Sequence, residues 1–126
     1  MPDFKSDQKP QFHDLSSKVI GCAIEVHREL GPGLLENAYE HCLSRELERE
    51  NIEHSCQVAL PIVYKGESIE CGYRIDLIVG QELIIELKAV DRIMPIHEAQ
   101  LLTYMKLSGV RFGLLINFNV QQVRHG

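Results

Sequence analysis

No Cys-x-x-Cys pair joins any of Cys22, Cys42, Cys56 and Cys71, and no secretory leader pattern precedes them. Neither a zinc cluster nor a disulfide framework is therefore expected; four buried, reduced thiols in a cytoplasmic protein are. No apolar run approaches the roughly 18 residues that a membrane span requires, so no membrane partner is expected. A basic excess is also missing. The 126 residues carry a net charge of -5, whereas surfaces that bind polynucleotides usually announce themselves as a basic face. The deficit is uneven: residues 1–50 hold 6 Lys+Arg against 10 Asp+Glu, and residues 51–126 hold 7 against 8. No repeat, low-complexity tract or linker is present.

What remains is an ordinary globular composition, 44% apolar and 25% charged, long enough for one domain with a core that needs no staples. Residues 1–13 read as a flexible leader and 14–126 as a single domain. Leu15, Val19, Cys22, Ala23, Val26 and Leu30 recur at helical spacing, with Asp14 or Ser16 as cap. Gly31-Pro32-Gly33 ends that helix. A second follows over about 34–50, with Leu35, Ala38, Tyr39, Cys42, Leu43 and Leu47 inward and Asn51 as its stop. The period then turns to alternation. A strand is expected over 58–64, with Pro61 marking an edge or bulge, then a turn at Lys65-Gly66-Glu67 and a second strand over 69–79. Gly80-Gln81 suits a two-residue hairpin turn into a third strand over 82–89. Pro95 opens a helix that runs to Leu107 or Ser108, and Gly109 ends it. The apolar run Phe112–Asn117 is then an interior strand, parallel to its neighbour because a helix connects them.

The hairpin Tyr73–Val90 holds the unusual chemistry. Asp76 lies on the strand face opposite Ile75 and Leu77, and Glu86 and Lys88 share a face against Leu83, Ile85 and Leu87. Charges inside apolar strands need a partner, because unpaired charge is costly to bury. One reading is a partly solvated ionic cluster that contributes little beyond solubility. The other is a Mg²⁺ site: phosphodiester hydrolysis needs a nucleophilic water and neutralised phosphate charge, and carboxylate-held metal supplies both. Asp76 and Glu86 would give two oxygens, the Leu87 backbone carbonyl a third, and Lys88 a point charge for water or phosphate. Arg74 either pairs with Asp76 or binds phosphate. Glu36 is a helix-dipole partner by position, and His97 a surface or capping histidine.

The element order, with Ile75-Asp76 followed across a hairpin by Glu86-Leu87-Lys88, resembles the PD-(D/E)XK nuclease superfamily. The segment Gly33-Leu34-Leu35-Glu36-Asn37-Ala38-Tyr39 is similar to the signature of the GxxExxY protein family within it, and the resemblance covers about residues 15–119. Gln100 and Tyr104, four apart on one helical face, resemble the Gln-x-x-x-Tyr motif of RecB-like exonucleases, though an ordinary amphipathic flank has the same spacing. The resemblance implies an α/β, restriction-endonuclease-like core, helix-helix-three strands-helix-strand, with a mixed central sheet flanked by helices. It implies Asp76 and Glu86 as metal ligands, Lys88 as catalytic lysine, Glu36 as an additional acid, and Gln100 with Tyr104 orienting Lys88 or a phosphate. Ile75 stands where the family usually has proline. The function implied is a Mg²⁺-dependent nuclease acting on DNA, with Mn²⁺ as a substitute ion. The acidic balance points to help from a homodimer, a protein partner or a specific DNA structure. The alternatives are a non-catalytic nucleic-acid or protein interaction module on the same scaffold, which loss of Glu86 or Lys88 would have favoured, and a hydrolase of small phosphate esters.

Overall fold

The computed structural model describes residues 3–7 and 13–121. Asp3–Asp7 forms β1, inside the stretch expected to be a flexible leader. The apolar stripe that follows builds α1 (His13–Leu30), where Val19, Cys22, Ala23 and Val26 are buried. The Gly31 N–H bonds back to the His27 carbonyl at 2.8 Å and closes the helix. The helix α2 (Glu36–Arg49) then packs along α1 and buries Tyr39, Leu43 and Leu47.

The alternating region divides more finely than expected, into β2 (His54–Ala59), β3 (Ile62–Tyr64), β4 (Glu67–Ile69) and β5 (Arg74–Val79). The strand expected over 58–64 breaks at Leu60-Pro61, where proline has no N–H for a ladder; the Leu60 N–H goes instead to the Tyr73 carbonyl at 3.0 Å. The strand expected over 69–79 breaks at 70–73, where the Glu70 carboxylate accepts the Gly72 N–H at 2.8 Å. In consequence β3 and β4 pair only with each other, as a separate two-stranded hairpin. The next strand, β6 (Leu83–Lys88), starts one residue later than expected. The turn Gly80–Glu82 has Gly80 and Gln81 both at positive φ, closed by the Glu82 N–H on the Val79 carbonyl at 3.1 Å. The helix α3 (Pro95–Ser108) and β7 (Phe112–Asn117) complete the chain.

The main sheet has the order β1-β7-β6-β5-β2. β6 and β7 run parallel, as a helical crossover requires, and the other pairs are antiparallel. One core lies between the sheet and α1 with α2, built on Leu77, Val79, Leu83, Ile85, Leu87, Leu114 and Ile116 from the strands. A smaller one lies under α3, where Ile75, Ile84 and Leu115 meet Leu101 and Tyr104. Thus α/β, with a mixed central sheet flanked by three helices, is the observed class. Close approach of α3 depends on Gly113: a Cβ there would stand 2.7 Å from Met105 Sδ and 2.9 Å from Leu101 Cδ1. Of the four cysteines only Cys22 is buried; Cys56 and Cys71 are exposed, because they fall on the edge strand β2 and in the 70–73 break. Among the described residues no helix is long and apolar enough to cross a membrane.

Candidate active site

The ladder between β5 and β6 pairs Val79 with Leu83, Ile78 with Ile84 and Leu77 with Ile85, then stops. The next rung would join Asp76 to Glu86. Side chains take over there: the Asp76 N–H donates to Glu86 Oε2 at 2.9 Å, and the Leu87 N–H donates to Asp76 Oδ2 at 2.8 Å. Each carboxyl group thus accepts a bond from a backbone N–H of the opposite strand. The antiparallel hairpin brings the two acids face to face across one register position, which is why residues ten apart in sequence meet.

On the other side of β5 the same position is also unpaired. β2 pairs with β5 at Cys56–Leu77 and at Val58–Ile75 but skips Gln57–Asp76, and Gln57 has φ +52, a left-handed backbone that costs a non-glycine residue of order 1 kcal/mol. The alternation of β5 breaks at the same position: Ile75, expected on the face of Leu77, packs instead with Ile84 and Tyr104 under α3. The turn at Gln57 carries its amide to the site, where Nε2 donates to Glu40 Oε1 at 2.6 Å and lies 3.4 Å from Asp76 Oδ1. Glu40, only 9% exposed, comes from α2 one turn after Glu36. Neither Glu40 nor Gln57 was among the expected site residues. The i, i+4 spacing from Glu36 was a signal for Glu40; a left-handed glutamine leaves no signal.

Glu36 is the first residue of α2, and its placement follows from the loop before it. Gly33 adopts φ +100, open to glycine alone without strain. The Tyr39 hydroxyl donates to the Gly31 carbonyl at 2.6 Å and accepts the Leu34 N–H at 3.2 Å, while its ring stacks on Phe118 at 4.5 Å. Gly33 and Tyr39 therefore fix the entry to the helix and with it Glu36, whose charge is felt by both Asp76 and Glu86.

Lys88, at the end of β6, is held from α3. Its Nζ donates to Gln100 Oε1 at 3.3 Å, and Gln100 Nε2 donates to the Tyr104 hydroxyl at 3.1 Å. The lysine, which can only donate, sets which end of the amide faces it, and the tyrosine hydroxyl accepts from the other end. Beyond Lys88 the chain is clamped by the fully buried Asn117, which accepts the Val90 N–H at 3.1 Å and donates to the Val90 carbonyl at 2.9 Å. Arg74 pairs with Glu70 at 3.3 Å and not with Asp76, and His97 accepts the Met94 N–H at the start of α3.

Burial without a nearby guanidinium makes the acids reluctant to ionise. Glu86, 5% exposed, is pushed up to about 8 by burial first and by the Asp76 carboxylate second, with the Asp76 N–H and Lys88 opposing. Asp76 is raised by burial, against the Leu87 N–H, with Glu36 adding to the rise. Glu40 is raised by burial too, against its bond from Gln57. Among the described residues no three His, Cys, Asp or Glu side chains gather closely enough to cage a metal ion by themselves. Two carboxylates with a backbone carbonyl nonetheless suit Mg²⁺, a hard ion that keeps several waters. One oxygen of each acid stays available: Glu86 Oε1 accepts no hydrogen bond among the described residues, and Asp76 Oδ1 has only the long contact to Gln57. A cation there would offset the repulsion that now raises both acids.

A family model described as the PD-(D/E)XK nuclease superfamily matches residues 13–126. The chain belongs to that superfamily, its fold is the restriction-endonuclease-like one, and membership points to a nuclease. No curated protein and no solved structure matches.

Proposed function

We propose that this member of the PD-(D/E)XK nuclease superfamily is a Mg²⁺-dependent nuclease that hydrolyses DNA phosphodiester bonds in the cytoplasm, and that Gly33, Glu36 and Tyr39 mark it as one of the GxxExxY group. The observation that carries the reading is the missing rung at Asp76 and Glu86, with two carboxylates exchanging backbone bonds beside a lysine fixed by Gln100 and Tyr104. Asp76, Glu86 and the Leu87 carbonyl would hold Mg²⁺, or Mn²⁺ on the same oxygens. When bound, the ion supplies charge neutralisation at the phosphate and a more acidic water.

The protein's own groups do the rest. Lys88 presents its ammonium to the attacking water or a phosphate oxygen, and Gln100 keeps it from swinging into solvent. Tyr104 accepts from the other end of the Gln100 amide and steadies it against Lys88. Glu36 adds a further acid from α2, and Glu40 with Gln57 positions Asp76.

Cleavage of plasmid, linear duplex and single-stranded DNA in Mg²⁺ or Mn²⁺ tests the reading. The wild type should cut at least one of these, and Asp76→Ala and Lys88→Ala should each lose about 100-fold or more in rate, the scale of removing one electrostatic contributor. If no substrate is cut, or the variants cut as well as the wild type, the reading is wrong.

A further inference from the structure

The hairpin β3–β4 stands apart from the main sheet and leaves a cleft of about 470 Å³ against α3. Ile62, Tyr73, Ile96 and Leu107 wall it, together with Gln100 and Tyr104, the two residues that hold Lys88. Its rim is apolar and open: Ile96 is 69% exposed and Tyr73 46%, whereas Tyr104 beneath is buried. The Tyr73 and Tyr104 rings meet at a steep angle, centroids 6.3 Å apart at 66°, so the two are not stacked face to face.

No carboxylate lines this cleft, while the concavity between α1 and α2 is lined by Glu25, Glu46 and Glu50 together with Lys18 and Arg49. A polyanion reaching Lys88 along the α3 side meets no carboxylate on these walls. The walls offer that polyanion no row of cations for its backbone; they offer flat aromatic and aliphatic surface. That is the chemistry of a nucleobase face, which stacks on tyrosine whatever the base. Bases inside a duplex are already stacked and cannot present that face.

We propose that this cleft seats an unpaired nucleobase next to the phosphate at Lys88, so that the substrate is DNA with a single-stranded segment. The proposal rests on the nuclease reading for its phosphate and on the cleft for its base. Through Gln100 the two share a wall, so the base would belong to a nucleotide near the site of cutting.

Fluorescence anisotropy with the full chain, Ca²⁺ replacing Mg²⁺ so that nothing is cut, tests it on a labelled single-stranded oligonucleotide and on the same sequence as a blunt duplex. The single strand should bind about tenfold tighter or more, and Tyr73→Ala and Ile96→Ser should each weaken it roughly tenfold, the scale of one lost base stack, while Tyr73→Phe retains it. Both positions are exposed, and an unchanged melting temperature certifies the fold. Abasic sites in the oligonucleotide should cost the wild type a similar factor and make Tyr73→Ala silent. Equal affinity for single strand and duplex, or a Tyr73→Ala loss that persists on abasic DNA, overturns the proposal. So does a wild type that sediments as a dimer and turns monomeric in Ile96→Ser with oligonucleotide affinity unchanged, which would make the rim a contact between two copies. Base-dependent binding with no cutting in Mg²⁺ would leave this site standing and remove the nuclease reading; cutting of blunt duplex with no base dependence would do the reverse.

Discussion

Replacing Glu86 by glutamine should stabilise the metal-free protein while abolishing cleavage. Glutamine keeps an oxygen to accept the Asp76 N–H, which now bonds Glu86 Oε2 at 2.9 Å, and its amide can donate to the facing Asp76 carboxylate. What it removes is a titration. In the folded protein Glu86 holds its proton up to about 8, against an ordinary value of 4.5. Between those two values the unfolded chain releases a proton that the folded chain keeps, so stability is full below about pH 4.5 and falls as pH rises to about 8. At pH 7 the span is 7 − 4.5 units at ~1.36 kcal/mol each, or about 3 kcal/mol relative to a side chain that never ionises. Asp76 and Glu86 titrate as a pair, so part of this belongs to Asp76, and a gain of about 1–3 kcal/mol is expected of the single substitution. For a chain of this length that is a melting temperature roughly 3–12 °C higher.

Thermal unfolding followed by circular dichroism in EDTA, from pH 5 to pH 8.5, reads the effect. The wild-type melting temperature should fall with pH, that of Glu86→Gln should fall less, and the two should converge towards pH 5. Titrating groups remote from the Asp76–Glu86 pair cancel in the difference. Mg²⁺ added at pH 8 should raise the wild type and leave the variant nearly unmoved, because an ion that replaces the proton removes the same cost. Parallel pH profiles, or a variant less stable than wild type at pH 8 in EDTA, would refute the account of the buried carboxylates.

Gln100→Ala should lower the cleavage rate about tenfold and Tyr104→Phe several-fold, both through kcat, since each acts by holding Lys88; single-turnover kinetics separates this from weakened binding. Asn117→Ala strips the Val90 N–H and carbonyl and the Asn119 N–H of a buried partner and should cost about 2–4 kcal/mol in urea unfolding. Tyr39→Phe keeps the stack on Phe118 but loses both hydroxyl bonds, for about 1–2 kcal/mol by the same measurement and a lower rate as Glu36 loosens. Gln57→Asn suits the left-handed backbone better while its shorter amide cannot span Glu40 and Asp76, so the melting temperature should hold or rise as cleavage falls.

Elements marked by strong local signals were legible in advance. The stripe from Val19 to Val26, the stop at Gly31-Pro32-Gly33, Pro95 opening α3 and the unbroken apolar run of β7 each act within a few residues, and each stands where expected. Structure that depends on a distant partner was not. Asp-Phe-Lys-Ser-Asp has no apolar period, and β1 exists only because β7 lends it a ladder from Asn117 to Gly113. The break at Leu60-Pro61 was foreshadowed by Pro61, but its effect, a detached β3–β4 hairpin, needed the Leu60 bond to Tyr73 thirteen residues away.

The site divides the same way. Asp76, Glu86 and Lys88 stood out as charges in apolar strands, and the chain does bring them together; Glu40 and Gln57 did not stand out, because a buried glutamate and a left-handed glutamine acquire meaning only from each other. Asp76 is the position where β5 skips its rung on both sides, towards Gln57 and towards Glu86. A strand residue so released is no longer held by the backbone ladder, and its carboxylate is positioned by side-chain bonds alone: the Leu87 N–H, and the Gln57 amide anchored on Glu40. Those bonds are what a cation, a proton or a substitution would perturb first. The sheet therefore exchanges ladder bonds for side-chain bonds where its buried carboxyl groups meet, and adding positive charge to that point should tighten it.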